Sequence, residues 1–174
     1  MHGRGIATNV SAMNRRNFLY TGLAATLALQ SQRLFALAGG TTYRDNIGIQ
    51  LYTLRNELKA DTPGTLKAVA AAGYKQVEPF GFPDADALIK GSQDAGLKIN
   101  STHFQWDSAV NPKDDSFSDF LKIVEKAKGL GLSHLVVPYL QDSNRKTLDD
   151  YKKVAANLNK AAEKAKAAGI QLCY

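Results

Sequence analysis

The chain has 174 residues, of which 44% are hydrophobic, and this is enough for one folded domain with its own core rather than a disordered chain. The formal net charge of +6 suggests nucleic-acid binding at first sight, but residues 1–38 contain four arginines and no acidic residue. Subtracting these four charges leaves +2, so composition and charge give no support to a nucleic-acid-binding protein.

The first predicted element is an export signal at residues 1–38. A twin arginine, Arg15 and Arg16, precedes an apolar stretch at 18–29, and the small-x-small sequence Ala-Leu-Ala at 36–38 provides a cleavage site. The apolar stretch spans about 18 Å as a helix, too short to cross a hydrocarbon core of about 30 Å. The sequence RRNFL is similar to signals of the bacterial pathway that exports folded proteins. We therefore expect a periplasmic or secreted protein, with an uncleaved membrane tether as the alternative.

The remainder, residues 39–174, shows one pattern four times: an Ala/Lys-rich amphipathic segment ends at a glycine and a short apolar run follows. The four junctions are AAAGYKQVEPFG, QDAGLKINSTHF, KGLGLSHLVVPY and KAAGIQLCY, with glycines at 73, 96, 131 and 169. A glycine just past a helix adopts the left-handed conformation that ends it. Together with a first apolar run, NIGIQLYTL, the pattern predicts five strands alternating with four helices and hence a parallel sheet.

The predicted helices also have starts and apolar faces. Thr62 before Pro63 is expected to cap one helix, and Thr147 with Asp150 approximates a capping box. Two helices are expected to pack on the sheet through residues at 3.6-residue spacing. The expected contact residues are Phe117, Phe120, Leu121, Val124, Ala127 and Leu130 in one, and Leu148, Tyr151, Val154, Ala155, Leu158 and Ala162 in the other.

Two α/β architectures accept this order of elements. A doubly wound open sheet needs five strands but normally closes with a further helix. A (β/α)8 TIM barrel needs eight strands and about 250 residues, so the chain would be its first half, truncated after the start of strand 5. The sequence has neither G-x-G-x-x-G nor G-x-x-x-x-G-K-[ST], which weakens the doubly wound alternative because its usual ligand is a nucleotide or flavin.

Polar and aromatic residues stand at the ends of the predicted strands, where a buried parallel sheet would otherwise be Val/Ile/Leu-rich. In a barrel these ends face the functional side. Glu78 and His103 are the candidate catalytic residues. The candidate substrate-binding residues, suited to hydrogen bonding or stacking on a sugar, are Gln50, Tyr52, Trp106 and Tyr139.

Each candidate has a structural alternative. Glu78 is either part of a polar pocket or paired with a Lys or Arg at the rim. His103 is either a substrate, proton or metal ligand or a hydrogen-bonded structural histidine. Cys173, the only cysteine, is expected to be a small buried apolar residue, and no intrachain disulfide is possible. His134, at the start of the fourth predicted strand, receives no function. The lysines near residues 152–166 are expected to lie on a solvated helix face.

The segments IGIQLYTLRNEL, TLKAVAAAGYKQVEPFG, INSTHF and AKGLGLSHLVVPYL, with the twin-arginine leader, resemble the xylose-isomerase-like barrels of the sugar phosphate isomerase/epimerase family. The resemblance covers nearly all of residues 45–174 and implies a (β/α)8 barrel. It further implies metal-assisted proton transfer through an enediolate, with a divalent ion held by Glu, Asp, His and Glu at the ends of strands five to eight. None of those positions lies in this chain, which is therefore expected to be an inactive fragment that binds no metal by itself.

Four functions follow from these observations. The first is an exported sugar isomerase or epimerase acting on a small sugar or sugar derivative. A non-catalytic periplasmic carbohydrate-binding barrel is the second, and a lyase of the same barrel family, such as a dehydroshikimate dehydratase, is the third. An abasic-site endonuclease is the fourth, and export together with the mature charge near +2 argues against it.

Overall fold

The computed structural model describes residues 46–174, and the predicted export signal at 1–38 lies outside the described residues. Six strand segments occur in the described part: β1 Gly48–Gln50, β2 Gln76–Glu78, β3 Lys98–Ile99, β4 Ser101–His103, β5 His134–Val136 and β6 Gln171–Cys173. The α-helices there are α1 Arg55–Ala60, α2 Thr62–Ala71, α3 Asp86–Asp94, α4 Asp107–Val110, α5 Ser118–Gly129 and α6 Leu148–Ala167. Short 3-10 helices at Leu51–Leu54 and Asp142–Asn144 follow β1 and β5.

All strand pairs are parallel and form two three-stranded sheets in the order β1-β2-β3 and β4-β5-β6. The segments β3 and β4 are one strand interrupted at Asn100, whose carbonyl oxygen accepts hydrogen bonds from the amides of Ser133 (2.9 Å) and His134 (3.1 Å). Beyond this residue the strand pairs with β5, while on its other side the amide of His103 donates to the carbonyl oxygen of Pro79, which follows β2, at 2.9 Å. The prediction of five strands therefore matches the topology, with the third strand divided in two.

The strands follow one another across the sheets in chain order. A doubly wound sheet of the flavodoxin type would instead place its second strand outside its first, in the order 2-1-3-4-5. Consecutive parallel order is the order of neighbouring strands in a TIM barrel. The described residues thus form an open parallel α/β arrangement of the TIM-barrel kind.

The four glycines end their helices as predicted. Gly73, Gly96, Gly131 and Gly169 have φ values of 99°, 75°, 72° and 82°, a region that side chains with a Cβ rarely adopt. Each is followed within three residues by a strand that returns to the sheet. The helix-to-strand turns are therefore the part of the pattern that the structure reproduces most directly.

The predicted N-terminal cap is correct for α6 and wrong for α2. Thr147 and Asp150 form the complete capping box at the start of α6. Thr62, however, lies inside α2, and its hydroxyl donates to the carbonyl oxygen of Leu58 at 2.6 Å. Asp61 is the N-cap, because its Oδ1 accepts from the amide of Gly64 at 2.9 Å. Because the Asp61 carboxylate already accepts from the free amide at the start of α2, the Thr62 hydroxyl is not needed as a cap and bonds a carbonyl of α1 instead.

The expected apolar faces are only partly correct. In α5 the buried residues include Phe120, Val124 and Ala127, but Leu121 and Leu130 are exposed. In α6 the buried residues are Val154, Ala161 and Ala165, whereas Leu148 and Tyr151 are 70% and 49% exposed and Ala155 is also exposed. The buried face of α6 therefore consists of Val154 and two small alanines rather than the larger apolar residues at the start of the helix.

The core lies between the helices and one face of the sheets. One cluster contains Phe82, Phe104 and Phe120 with aliphatic residues from α5, α6 and β5, and a smaller one contains Leu51, Leu66 and Val77. Ile99 packs against both clusters. Because side chains alternate along a strand, the residues at positions 50, 78, 101, 103 and 173 point away from this core, to the opposite face of the sheets.

Candidate functional site

Three predicted site residues meet at the carboxyl ends of their strands. Gln50 ends β1, Glu78 ends β2 and His103 ends β4, and the strand register places Gln50 beside Glu78. The Nε2 atom of His103 lies 2.9 Å from Oε1 of Glu78, and its Nδ1 atom lies 3.1 Å from Nε2 of Gln50. The structure therefore joins residues that are 25 to 53 positions apart in the sequence into one polar cluster.

The Glu78 carboxylate accepts hydrogen bonds on both of its oxygens. Besides His103 on Oε1, the hydroxyl of Ser101 donates to Oε2. Within the described residues its side-chain partners are His103 and Ser101, so the alternative of a Lys or Arg partner is wrong for this part of the chain. The side chains of Glu78 and His103 are 23% and 19% exposed, which leaves both accessible to a small molecule.

A cavity of about 600 Å³ opens beside this cluster on the face of the sheets that lies away from the core. Gln50, Glu78, Ser101, His134 and Cys173 are among its lining residues. Its size suits a small organic ligand, and carboxylate, hydroxyl and amide groups suit the hydroxyl groups of a sugar. The cavity can therefore hold a small molecule next to the Glu78 carboxylate, which in turn contacts the imidazole of His103.

The sequence interpretation missed Ser101 and Cys173 as site residues. Ser101 lies two residues before His103 on the same strand, so alternation alone places both side chains on one face. Cys173 is half-buried and lines the cavity, and strand pairing carries it there because β6 is in register with β5 at Val136. Burial, and secondly the negative charge of Glu78, raise the pKa of the Cys173 thiol above its ordinary value.

The aromatic candidates lie apart from the polar cluster. Trp106 and Tyr139 contact each other edge to face, with ring centroids 4.9 Å apart. Tyr52 packs edge to face on Phe80 at 5.3 Å, and the Arg55 guanidinium lies over its ring at 4.8 Å. Neither pair lines the 600 Å³ cavity, although both lie just after strand ends. Of the six candidates, three therefore form the polar cluster, two pair with each other and Tyr52 pairs with Phe80.

A metal centre is not formed by the described residues. Between residues 46 and 174 no group of three or more His, Cys, Asp and Glu side chains is placed to hold an ion. Glu78 and His103 supply two donors, and these are bonded to each other. The same part of the chain has no helix long and apolar enough to cross a membrane.

No protein-family model and no curated protein matches the chain. Solved structures do match it. A sugar phosphate isomerase/epimerase from Parabacteroides distasonis ATCC 8503 is similar over 73% of this chain and 49% of that protein, with 31% sequence identity and a TM-score of 0.58. An L-ribulose 3-epimerase has 23% identity and a TM-score of 0.46, covering 72% of this chain and 48% of its own. A xylose isomerase-like TIM barrel protein from Mycobacterium smegmatis, in complex with magnesium, has 16% identity and a TM-score of 0.43, with coverages of 63% and 44%.

The fold and the strand-end cluster define a parallel α/β protein with the strand order of a TIM barrel. Within that class the resemblance found in the sequence is confirmed: the structural neighbours of this chain are sugar phosphate isomerase/epimerase and xylose isomerase-like TIM-barrel proteins. The chain spans about half the length of these solved relatives. Of the three, the P. distasonis protein has the sequence identity and TM-score that support a comparison beyond general architecture.

Proposed function

We propose that residues 46–174 form the first half of a (β/α)8 barrel and contribute one side of the active site of a sugar or sugar phosphate isomerase or epimerase. The consecutive strand order supports the half-barrel, as does the 49% coverage of the P. distasonis relative. In the described residues β1 pairs with β2 alone and β6 with β5 alone, so each has one edge to which a further strand can add.

The observation that carries the function is the contact between Glu78 and His103 at the strand ends, beside the cavity of about 600 Å³ on the face of the sheets that lies away from the core. Isomerisation and epimerisation of a sugar both begin when the C–H bond next to a carbonyl breaks. The proton passes to a base, and the electron pair of the bond becomes the double bond of an enediolate while the carbonyl oxygen gains charge. A partly exposed carboxylate is the base that this step needs, and an imidazole N–H that donates to the carboxylate holds it in position.

In this proposal Glu78 exchanges the proton with the sugar carbon, and His103, whose Nε2 lies 2.9 Å from Oε1 of Glu78, holds that carboxylate in position. Delivery of a proton to the opposite face of the same carbon, by an acid on the other side of the substrate, produces an epimer, and return of the proton from Glu78 to the neighbouring carbon produces an isomer. Ser101 holds one oxygen of the Glu78 carboxylate in place, so the other oxygen keeps a defined direction. A divalent metal remains part of the proposal for a longer protein only, because the described residues do not form a site for one.

The test is deuterium exchange in the full-length product of the gene, with the 174-residue chain assayed in parallel. Ketoses and aldoses, free and phosphorylated, are incubated in D2O with a divalent ion, and NMR follows the signal of the proton next to the carbonyl. We expect exchange by the full-length product and none by the 174-residue chain. Glu78→Gln should abolish exchange, and Glu57→Gln, an exposed change on α1, should leave it intact. Turnover by the 174 residues alone would refute the half-site proposal.

A carbohydrate-binding protein without catalysis is the second candidate, and the two aromatic pairs near the strand ends favour it. Aromatic faces stack on sugar rings without any proton transfer. The same samples distinguish the two functions. Sugar binding by calorimetry without deuterium exchange would favour the binding protein, and dehydration of a substrate would favour a lyase.

We also propose that residues 1–38 direct export through the twin-arginine pathway, which would place the protein in the periplasm or outside the cell. The support is the sequence RRNFL, the apolar stretch that follows it and the cleavage site at residues 36–38.

A further inference from the structure

The orientation of the Gln50 side-chain amide is determined by its neighbours. Its Oε1 atom lies 2.7 Å from the backbone nitrogen of Tyr52, and a backbone N–H can only donate. The amide atom that faces Tyr52 must therefore be the oxygen. Consequently the other end of the amide, which faces His103, is the NH₂ group, and this group can only donate.

This orientation decides which nitrogen of His103 carries the proton. Nδ1 lies 3.1 Å from Nε2 of Gln50, and since the amide donates, Nδ1 has to accept with its lone pair. In the neutral ring the single proton then resides on Nε2. That atom is 2.9 Å from Oε1 of Glu78, a carboxylate oxygen that accepts it.

The remaining members of the cluster are consistent with this direction of donation. Ser101 donates its hydroxyl proton to Oε2 of Glu78, so the carboxylate is an acceptor on both sides. The Glu78 carboxylate therefore accepts two hydrogen bonds. One comes from His103, which itself accepts from Gln50, and the other comes directly from Ser101. If Nδ1 carried the proton instead, two donors would face each other at Gln50 and Nε2 would have no proton for Glu78.

We propose that Gln50 is a positioning residue that holds His103 in the tautomer with its proton on Nε2, rather than a residue that binds substrate. The proposal rests on the proposed function for the role of His103 in catalysis, whereas the tautomer itself is independent of any activity. Gln50 acts through His103: the oxygen of its amide is held by the first turn after β1, and its nitrogen directs the ring. The imidazole N–H is thereby directed to the cavity side, where Glu78 lies.

The experiment reads the tautomer directly in the 174-residue chain labelled with ¹⁵N-histidine. Long-range ¹H–¹⁵N spectra separate a protonated ring nitrogen from an unprotonated one, and His134 in the same spectrum is an internal reference. We expect the Nε2-protonated form of His103 in the wild type. A wild-type spectrum with the proton on Nδ1 would overturn the proposal.

Two variants and one matched control complete the test. Gln50→Glu retains an acceptor for the Tyr52 amide but removes the donor, so Nδ1 of His103 should become protonated. Gln50→Met removes both groups and should produce a mixture of tautomers. Gln93→Glu, an exposed change on α3, should leave the His103 signals unchanged. Unchanged His103 signals in Gln50→Glu that remains folded by circular dichroism would contradict the proposal, even if Gln50→Met does not fold.

Kinetics of the full-length product distinguish positioning from substrate binding. Loss of the correct tautomer should lower kcat by about 10-fold or more in Gln50→Glu while KM changes little. A raised KM with unchanged kcat would show that Gln50 binds substrate and would overturn the proposal. If the wild type shows no turnover, the proposed function fails, and the histidine spectrum alone decides the role of Gln50.

Discussion

Ser101 and His103 lie two residues apart on β4 and contact opposite oxygens of the same carboxylate, that of Glu78. Alternation along the strand turns both side chains to the cavity face, and parallel pairing places the end of β2 beside them. One short strand therefore supplies two hydrogen-bond donors to a residue on its neighbour. A partly exposed carboxylate that is held on both oxygens keeps one orientation before any ligand binds.

The hydrogen bond from Ser101 to Glu78 should be measurable as a coupling energy. Hydrogen bonds to charged groups contribute about 1.5–3 kcal/mol to stability. A double-mutant cycle of Ser101→Ala and Glu78→Gln, followed by urea unfolding, should therefore give a coupling of about 1 kcal/mol or more. The exposed Ser143→Ala paired with Glu78→Gln should be additive within about 0.5 kcal/mol. Additivity in the Ser101 cycle would mean that this contact is absent in solution.

The thiol of Cys173 should ionise at a higher pH than an ordinary thiol, because burial and then the charge of Glu78 raise its pKa. The pH profile of its alkylation rate should shift accordingly. Glu78→Gln should move the midpoint to lower pH, and Glu57→Gln should not. A midpoint that is the same in Glu78→Gln and the wild type would exclude electrostatic contact between the two groups.

The same raised pKa has a consequence for stability. The folded state binds the thiol proton more tightly than the unfolded state, so this contribution is fully present below the ordinary thiol pKa. It is lost as the pH rises through the interval between the ordinary and the raised value. Cys173→Ser should remove that part of the pH dependence, which urea unfolding at a series of alkaline pH values would detect.

The start of α2 offers a direct comparison of two capping residues. Asp61→Ala should destabilise the protein by about 1 kcal/mol, because it removes the acceptor for the Gly64 amide. Thr62→Ala should cost less, since its hydroxyl bonds a carbonyl of the previous helix and alanine favours the helical conformation. Urea midpoints of the two variants provide the test. If Thr62→Ala lowered the free energy of unfolding by more than Asp61→Ala does, Thr62 rather than Asp61 would be the capping residue.

The proposed export signal is testable without reference to the folded domain. Replacing Arg15 and Arg16 with lysines in a fusion of residues 1–38 to a reporter should retain the reporter in the cytoplasm. Arg4→Lys with Arg33→Lys preserves the twin arginine and should leave export unchanged. Export of the reporter with both lysines in place would exclude the twin-arginine pathway.

Local features of the chain were accessible from the sequence because they depend on neighbours a few residues away. The glycines that end four helices require a backbone conformation that other residues avoid, and the capping box of Thr147 and Asp150 closes within one turn. The assignment of the cap to Thr62 failed by one residue because both Asp61 and Thr62 are good capping residues. Propensity alone does not choose between them.

The apolar faces of α5 and α6 show where sequence periodicity stops being informative. A period of 3.6 residues defines a stripe, but a stripe that contains both large apolar residues and alanines is compatible with more than one rotation of the helix. In α6 Ala161 and Ala165 are buried, and Leu148 and Tyr151 remain exposed. Which side of α6 is buried depends on the shape of the helix surface and on the shape of the surface that it packs against, so the helix sequence alone does not determine it.

The sequence by itself determined the alternation of strands and helices, the turns between them and the strand-end positions of Gln50, Glu78 and His103, because these follow from periodicity and backbone conformation. Only the tertiary structure decided that the three side chains touch, that Ser101 and Cys173 join them and that the aromatic residues pair elsewhere. Those contacts depend on strand register and on the break at Asn100, and a shift of one residue would turn each side chain to the other face.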